Sequence, residues 1–382
     1  MRFALSAEQA ELRRAARGYL AAHWASAQVR AAMTPGWKQD APAWRRVAQD
    51  LGWASILVPE ALGGAGLGWV EATLIAEEAG RSLACVPFFS TVCLATSALL
   101  AAGDEAQRAE HLPPIASGVV RATVAFAEGS RVDPWDVATV AREEGDAFVL
   151  SGTKQYVVDG TAADRLFVTA RAPGTAREQG VAFFAVDARA AGVHVERTPA
   201  MDATRPLARV VLRDVRVGRR ARMGDAAAVR RTLDHAAIAL ASEALGGAER
   251  CVEMATEYAR TRVQFDRPIG SFQAIKHRLA DLFTSVETAR SAARYAAGVA
   301  DSGDDAELAV AAALAKSYCT EAFFRCAAEN IQIHGGIGFT WEHDAHLFLK
   351  RARGSLVLLG GPSADRERVA DTMGLDAAVG GR

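Results

Sequence analysis

No uninterrupted apolar run of about 18 residues occurs in this 382-residue chain, so the sequence predicts no membrane-spanning helix. There is no excess of charge of either sign: 44 Lys+Arg face 45 Asp+Glu, net −1, and the basic residues are dispersed. That balance argues against nucleic acid or an anionic membrane as partner. Cysteine is scarce. Cys85, Cys93, Cys251, Cys319 and Cys326 are odd in number, widely spread and without a CxxC pair, which argues against a disulfide framework or a zinc site. Buried free thiols and a cytoplasmic location are the expectation, with no metal. The start has no signal-peptide character: Glu8, Glu11 and Arg13 to Arg17 interrupt the apolar positions of Met1 to Leu20, as in an amphipathic helix. Repeats and low-complexity tracts are missing too.

What is present falls into three blocks, and the length suits two or three domains. Residues 1–117 read as helical, with 3.6-type periodicity over Ala7 to Trp24, Ala43 to Leu51, Val70 to Ser82 and Thr91 to Ala102. Asp104 to Arg108 reads as a short helix stopped by Pro113-Pro114. Residues 118–223 read as short strands: Arg121 to Ala127, Asp136 to Arg142, Ala147 to Leu150, Tyr156 to Val158, Leu166 to Ala170, Val181 to Val186, Val193 to Glu196 and Ala208 to Leu212. Their even spacing predicts a small antiparallel barrel or sandwich. Residues 224–376 return to long Ala-rich helices with broad apolar faces, including Ala274 to Ala300, Ala306 to Ile331 and His343 to Ala352. That pattern predicts a four-helix antiparallel bundle. Ala377 to Arg382 reads as a loose end. The fold class expected is mainly α with a central β domain.

Thr232 to Gln273 is the most distinctive stretch. It lacks proline from Leu233 to Tyr258 and keeps Leu233, Ala236, Ala237, Leu240, Ala244 and Leu245 at helical spacing. Gly246-Gly247 predicts close approach of a neighbouring helix or a ligand. The helix then breaks at Arg262 to Gly270 and restarts at Ser271-Phe272-Gln273, with Ser271 a candidate cap. Arg262 and Phe265, three apart, would share a helix face. They are either a surface cation beside a core aromatic, or a grip for a phosphate and a flat ring. Two glycine-rich segments carry the same ambiguity. Leu57 to Leu67 is a tight structural turn or a phosphate loop, and Gln332 to Gly338 brings backbone N–H groups close to an anion or a ring carbonyl.

Taken together and in order, these segments resemble the acyl-CoA dehydrogenase superfamily. The resemblance runs through Leu57-Val58-Pro59-Glu60 with Gly63 to Leu67, Gly152 to Gly160, Arg262 to Gln273, and Gln332 to Gly338 followed by Thr340 and Glu342. It covers essentially the whole chain. It implies FAD, an acyl-CoA substrate, an electron-transfer flavoprotein-type acceptor, and a homo- or heterotetramer built as a dimer of dimers. By position, Arg262 would meet the FAD pyrophosphate and Phe265 the adenine side. Gln273 would lie near the cofactor across the dimer interface. Gln332, Gly335 and Gly336 would meet a neighbour's FAD. Phe126 and Ala127 would face the flavin ring by backbone, with Tyr156 and Val158 on its other side.

The resemblance also exposes departures. The family base is a Glu at one of two places, and Gly360 and Ala236 stand there, with Ala237 where an Arg often follows. Ala127, Val158 and Pro362 replace hydroxyl-bearing residues, Tyr156 replaces Trp, and Gly129-Ser130-Arg131-Val132-Asp133-Pro134 replaces the usual loop. Substitutes are weak: Glu243 lies on nearly the face of Ala236 but roughly 10 Å along, and Asp234 lies roughly 200° around the helix, read as solvated or capping. His235 lies roughly 100° around. His334 reads as structural, and Glu128 as near the flavin without acting as base. Three functions remain open: α,β-dehydrogenation of an acyl-CoA by a subunit lacking its own base within a heterotetramer, oxidase or oxygenase chemistry on the same fold, or a non-catalytic flavin-binding subunit.

Overall fold

A computed structural model describes residues 4–34, 41–129 and 132–375. Ser130, Arg131, Met1 to Phe3 and the expected loose end Ala377 to Arg382 lie outside the described residues. The chain divides into two compact units. One comprises Met1–Met33, Thr73–Ala84 and Ala237–Arg382; the other comprises Thr34–Ala72 and Cys85–Ala236.

The second unit is centred on a sheet of strands β1 (Ala122–Ala125), β2 (Val140–Glu144), β3 (Ala147–Val158), β4 (Arg165–Arg171), β5 (Val181–Asp187), β6 (Val193–Thr198), β7 (Leu207–Gly218) and β8 (Arg222–Met223). Their order is β6-β7-β3-β2-β4-β5-β8, with β1 on β4. The expected antiparallel barrel is corrected on two points. Among the described residues the end strands β6 and β8 do not pair, so the sheet is open. It is also mixed: β4 runs parallel to β1 along Arg165 to Val168 and to β2 at Arg171. Alternating burial reports which face of a strand packs inward; it does not say which edges meet. The segments Ala147 to Leu150 and Tyr156 to Val158 belong to one strand, bent by irregularities between Leu150 and Gly152 and between Lys154 and Val157. Phe148, Leu150, Leu166, Val168, Phe184 and Val210 fill its core.

Helices of this unit depart from expectation where the backbone adapts. The segment predicted as Thr91 to Ala102 runs as a π-type turn sequence over Phe89–Thr96 followed by an α-helix over Ser97–Ala102. The Asp104 to Arg108 helix extends over Glu105–Ala116 and contains Pro113 and Pro114. A mid-helix proline removes a hydrogen bond and costs about 3 kcal/mol. Burial of Leu112, Ile115 and Ala116 and the Asp104–Gln107 capping box offset that cost.

The first unit opens with the helix Ala7–His23, begun by a capping box in which Gln9 N donates to Ser6 Oγ at 3.2 Å and Ser6 N donates to Gln9 Oε1 at 2.9 Å. Its long elements are the helices Ala226–Thr261, whose first turns belong to the other unit, Gln273–Ser302 and Asp305–His334, joined by Ala345–Val357 and by Pro362–Thr372, a helix the sequence pattern does not announce. The last two both pack on Asp305–His334. Gly246 and Gly247 are required by packing, not by a ligand. A Cβ on Gly246 would stand 1.8 Å from the Glu77 carbonyl oxygen, and one on Gly247 would stand 2.4 Å from the Phe323 ring. Buried Glu77 and Glu78 take Arg13, Arg17, Arg290 and Arg294 into a shared ion-pair network. All five cysteines are buried free thiols. No helix among the described residues is long and apolar enough to cross a membrane.

Candidate functional site

In the sheet unit, β1 runs out into Phe126, Ala127 and Glu128 alongside β3. Gln155 N donates to Ala127 O at 2.8 Å, and Thr123 Oγ1 donates to Val158 O at 2.7 Å. Phe126, Ala127, Tyr156 and Val158 are therefore brought to one place. Phe126, Ala127 and Val158 are buried, while Tyr156 is exposed and adopts a left-handed backbone, φ +55°. Beneath them lies a group that sequence reasoning misses. Lys154 is fully buried; its Nζ stands 2.5 Å from Glu128 Oε1, 2.9 Å from Thr169 Oγ1 and 3.4 Å from Phe126 O. Glu128 also accepts from Ala138 N at 2.9 Å and Thr139 N at 3.1 Å. These bonds make Glu128 a structural carboxylate. Burial pulls the Lys154 ammonium down to about 8, against the opposing pull of Glu128. Its neighbours Gly152, Thr153 and Gln155 are small or polar, so nothing in the strand's own sequence marks Lys154 as buried.

In the helical unit, the chain leaves Ala226–Thr261 at Arg262 and forms a hairpin of Val263–Gln264 and Arg267–Pro268. Its turn residues, Phe265 and Asp266, both have positive φ, +53° and +59°. That corrects the shared helix face expected of Arg262 and Phe265: the helix has ended. Phe265 is 86% exposed, so it is not a core residue either. Ser271 does not cap the next helix. Phe272 is the N-cap residue, without a side-chain bond, and Ser271 Oγ is buried with no hydrogen-bond partner.

Arg262, Gln273, Gln332, Gly335 and Gly336 are all exposed. Ala255, Ala259 and Ile333, with Tyr258, Ile269 and Ile275 packed on them, tie the hairpin and the glycine loop to one core. Tyr258 stacks on His334 at 4.3 Å, and His334 Nδ1 lies 2.8 Å from Asn330 O, so His334 is structural. Gly335 closes the long helix at φ +63°, and nothing stands within 4 Å of a Cβ built on Gly335 or Gly336. An accessible guanidinium and bare glycine backbone suit an anionic group; exposed Phe265 suits a flat ring. By contrast, Leu57 to Leu67 is a structural turn. Its Gly64, Ala65, Gly66 and Leu67 N–H groups all donate to local carbonyls.

The base positions are equally clear. Ala236 is completely buried and Ala237 nearly so. Gly360 is buried with φ +105°, next to Leu359 at φ +62°. The second buried lysine, Lys316, donates to the Gly360 carbonyl and stands 2.7 Å from Asp365 Oδ2. Burial lowers the Lys316 pKa and raises that of Asp365. Glu243 is held by Arg351 at 2.6 Å. Asp234 is buried, which corrects its reading as a solvated or capping group: the helix begins at Ala226, well before it, and this turn is packed. His235 stacks on Trp69 at 4.6 Å, with Nδ1 3.3 Å from Ser97 Oγ.

Family models match three consecutive stretches: the N-terminal domain of acyl-CoA dehydrogenase over residues 6–119, its middle domain over 126–215 and its C-terminal domain over 225–374. Acyl-CoA dehydrogenase IpdE2 of Mycolicibacterium smegmatis is 34% identical over 365 residues, covering 96% of this chain and 98% of that protein. A variant of the Tcur3481-Tcur3483 steroid ACAD superposes with a TM-score of 0.88 at 34% identity, over 97% of this chain and 99% of that one. The ChsE4-ChsE5 complex from Mycobacterium tuberculosis superposes with a TM-score of 0.90 at 28% identity, over 98% and 99%. This chain belongs to the acyl-CoA dehydrogenase family, flavin oxidoreductases that bind FAD and act on CH–CH groups.

Proposed function

We propose that this chain is the base-lacking subunit of a heterotetrameric acyl-CoA dehydrogenase that introduces an α,β double bond into a bulky acyl-CoA thioester. The observation that carries the reading is the pairing of Gly360 and Ala236 at the two places where the family holds its Glu. Both surroundings support it. Residue 360 sits in a left-handed loop anchored by buried Lys316, and residue 236 in fully buried helix. The nearby carboxylates do not substitute, because Glu243 is held by Arg351 and Glu128 by Lys154. A base needs free reach to the α-proton and a pKa raised towards neutrality. The relatives named for a steroid ACAD and for a ChsE4-ChsE5 complex motivate a bulky substrate and a paired homologue.

When bound, FAD supplies the acceptor for the hydride leaving the β-carbon, before electrons pass to an electron-transfer flavoprotein-type acceptor. The rest is positioning. Arg262 would neutralise the pyrophosphate, and Phe265 would cover the adenine side. Gln273, Gln332, Gly335 and Gly336 would meet cofactor across subunit boundaries. Phe126, Ala127, Tyr156 and Val158 would line the ring and exclude water. The α-proton would go to a Glu of the partner homologue. The test is expression alone against co-expression with a homologue that bears the Glu. Turnover of acyl-CoA with an artificial electron acceptor should require the pair. A normal rate from the FAD-loaded chain alone would overturn the proposal.

A further inference from the structure

The sheet unit holds one buried ion pair whose position is not accounted for by folding alone. Lys154 lies on β3 two residues before Tyr156, at the point where the β3–β7 register slips between Lys154 and Val157. Its Nζ reaches across to Glu128, to Thr169 on β4 and to the carbonyl of Phe126. One ammonium therefore touches the exit of β1, the face of β4 and, through its own strand, the bulge that sets Tyr156 in its left-handed conformation. Apolar side chains would fill this space without the cost of burying charge, and such replacements are often neutral or stabilising. The bonds of this one ammonium instead tie β3 to the exit of β1 and to β4.

We propose that Lys154 is a positioning residue for the flavin-facing wall, setting the backbone of Phe126 to Glu128 and of Tyr156 and thereby the environment the bound flavin meets. This rests on the reading that Phe126, Ala127, Tyr156 and Val158 line the flavin. The groups facing the ammonium are Glu128 at the end of β1, Thr169 on β4 and, at longer range, the Arg171 guanidinium on β4, which disfavours its charge. Near pH 8 the Lys154 ammonium gives up its proton to solvent, so the wall changes charge without any change in composition.

The test uses the full chain as wild type, as Lys154→Met, and as Lys154→Met with Glu128→Gln, which removes both charges. Amide hydrogen exchange is read over residues 122–128 without FAD. The visible spectrum of bound FAD is read from about pH 6.5 to about 9.5, which brackets the expected midpoint. In wild type the flavin band should shift with a midpoint near 8, and that shift should vanish in both variants. Exchange over 122–128 should rise about tenfold or more in the variants while β5 stays protected. If Lys154→Met alone does not fold, the double variant carries both readouts. Variants that bind FAD with the wild-type spectrum and exchange at the wild-type rate would overturn the proposal. A wild-type chain that takes up no FAD would instead overturn the site reading, and the exchange measurement would still decide the role of Lys154.

Discussion

Arg351 Nη1 stands 2.6 Å from Glu243 Oε1, with both side chains buried. Removing one partner breaks a buried charge pair and leaves half of it in place, whereas removing both does not. Arg351→Met or Glu243→Met should each lower stability by about 3–5 kcal/mol, and the two together should recover most of that loss. Urea denaturation of the three variants measures it. Full additivity of the single losses would show that the pair is not coupled.

Gly360 has φ +105°, a value that L side chains rarely adopt. Gly360→Ala should cost about 1–2 kcal/mol, seen as a lower thermal midpoint. Gly360→Glu should incur a similar strain and still not make the chain an independent dehydrogenase, because the loop carbonyl is anchored by Lys316. Acyl-CoA turnover by that variant alone, at the rate of an ordinary family member, would contradict this.

Lys154 gives a pH dependence with a definite sign. Its folded-state pKa is lowered from 10.5 to about 8. Between these values the unfolded chain holds a proton that the folded chain has released, so stability rises with pH across that window and is unaffected below it. The full excursion is at most about 3 kcal/mol. Denaturation midpoints at about pH 7, 8, 9 and 10, compared between wild type and Lys154→Met, isolate it. The difference should grow above pH 8 and be flat beneath.

Arg262 is exposed just after the long helix ends. Arg262→Ala should weaken FAD binding by about 10- to 100-fold, the worth of a charge-assisted contact to phosphate. Folding should be unchanged. Titration of the apoprotein with FAD, followed by flavin fluorescence, reads the affinity. An unchanged affinity would place the pyrophosphate elsewhere.

The long helices were legible because a 3.6-residue period repeated over many turns leaves little choice, and the Arg262 to Gly270 break carried its own proline and glycine. The sheet was legible strand by strand but not as a whole: nothing in Leu166 to Ala170 says that β1 and β2 share one edge of β4. Pro113 and Pro114 misled, since a proline reports a missing N–H and not whether packing outweighs it. Of the candidate site, the resemblance singles out Arg262, Gln332 and Gly335, and the structure leaves all three exposed. The conformations of Phe265 and Gly360 were hidden, because φ there is decided by tertiary surroundings that the neighbouring residue types do not encode. Lys154 and Lys316 were hidden for a related reason: a buried lysine is recognisable only beside its carboxylate.

The two-residue turn at Phe265-Asp266 projects an aromatic ring almost wholly into solvent between two long helices. Its own chain derives little cohesion from that ring. Within this stretch the fold rests on the packed helices and not on the ring at the turn.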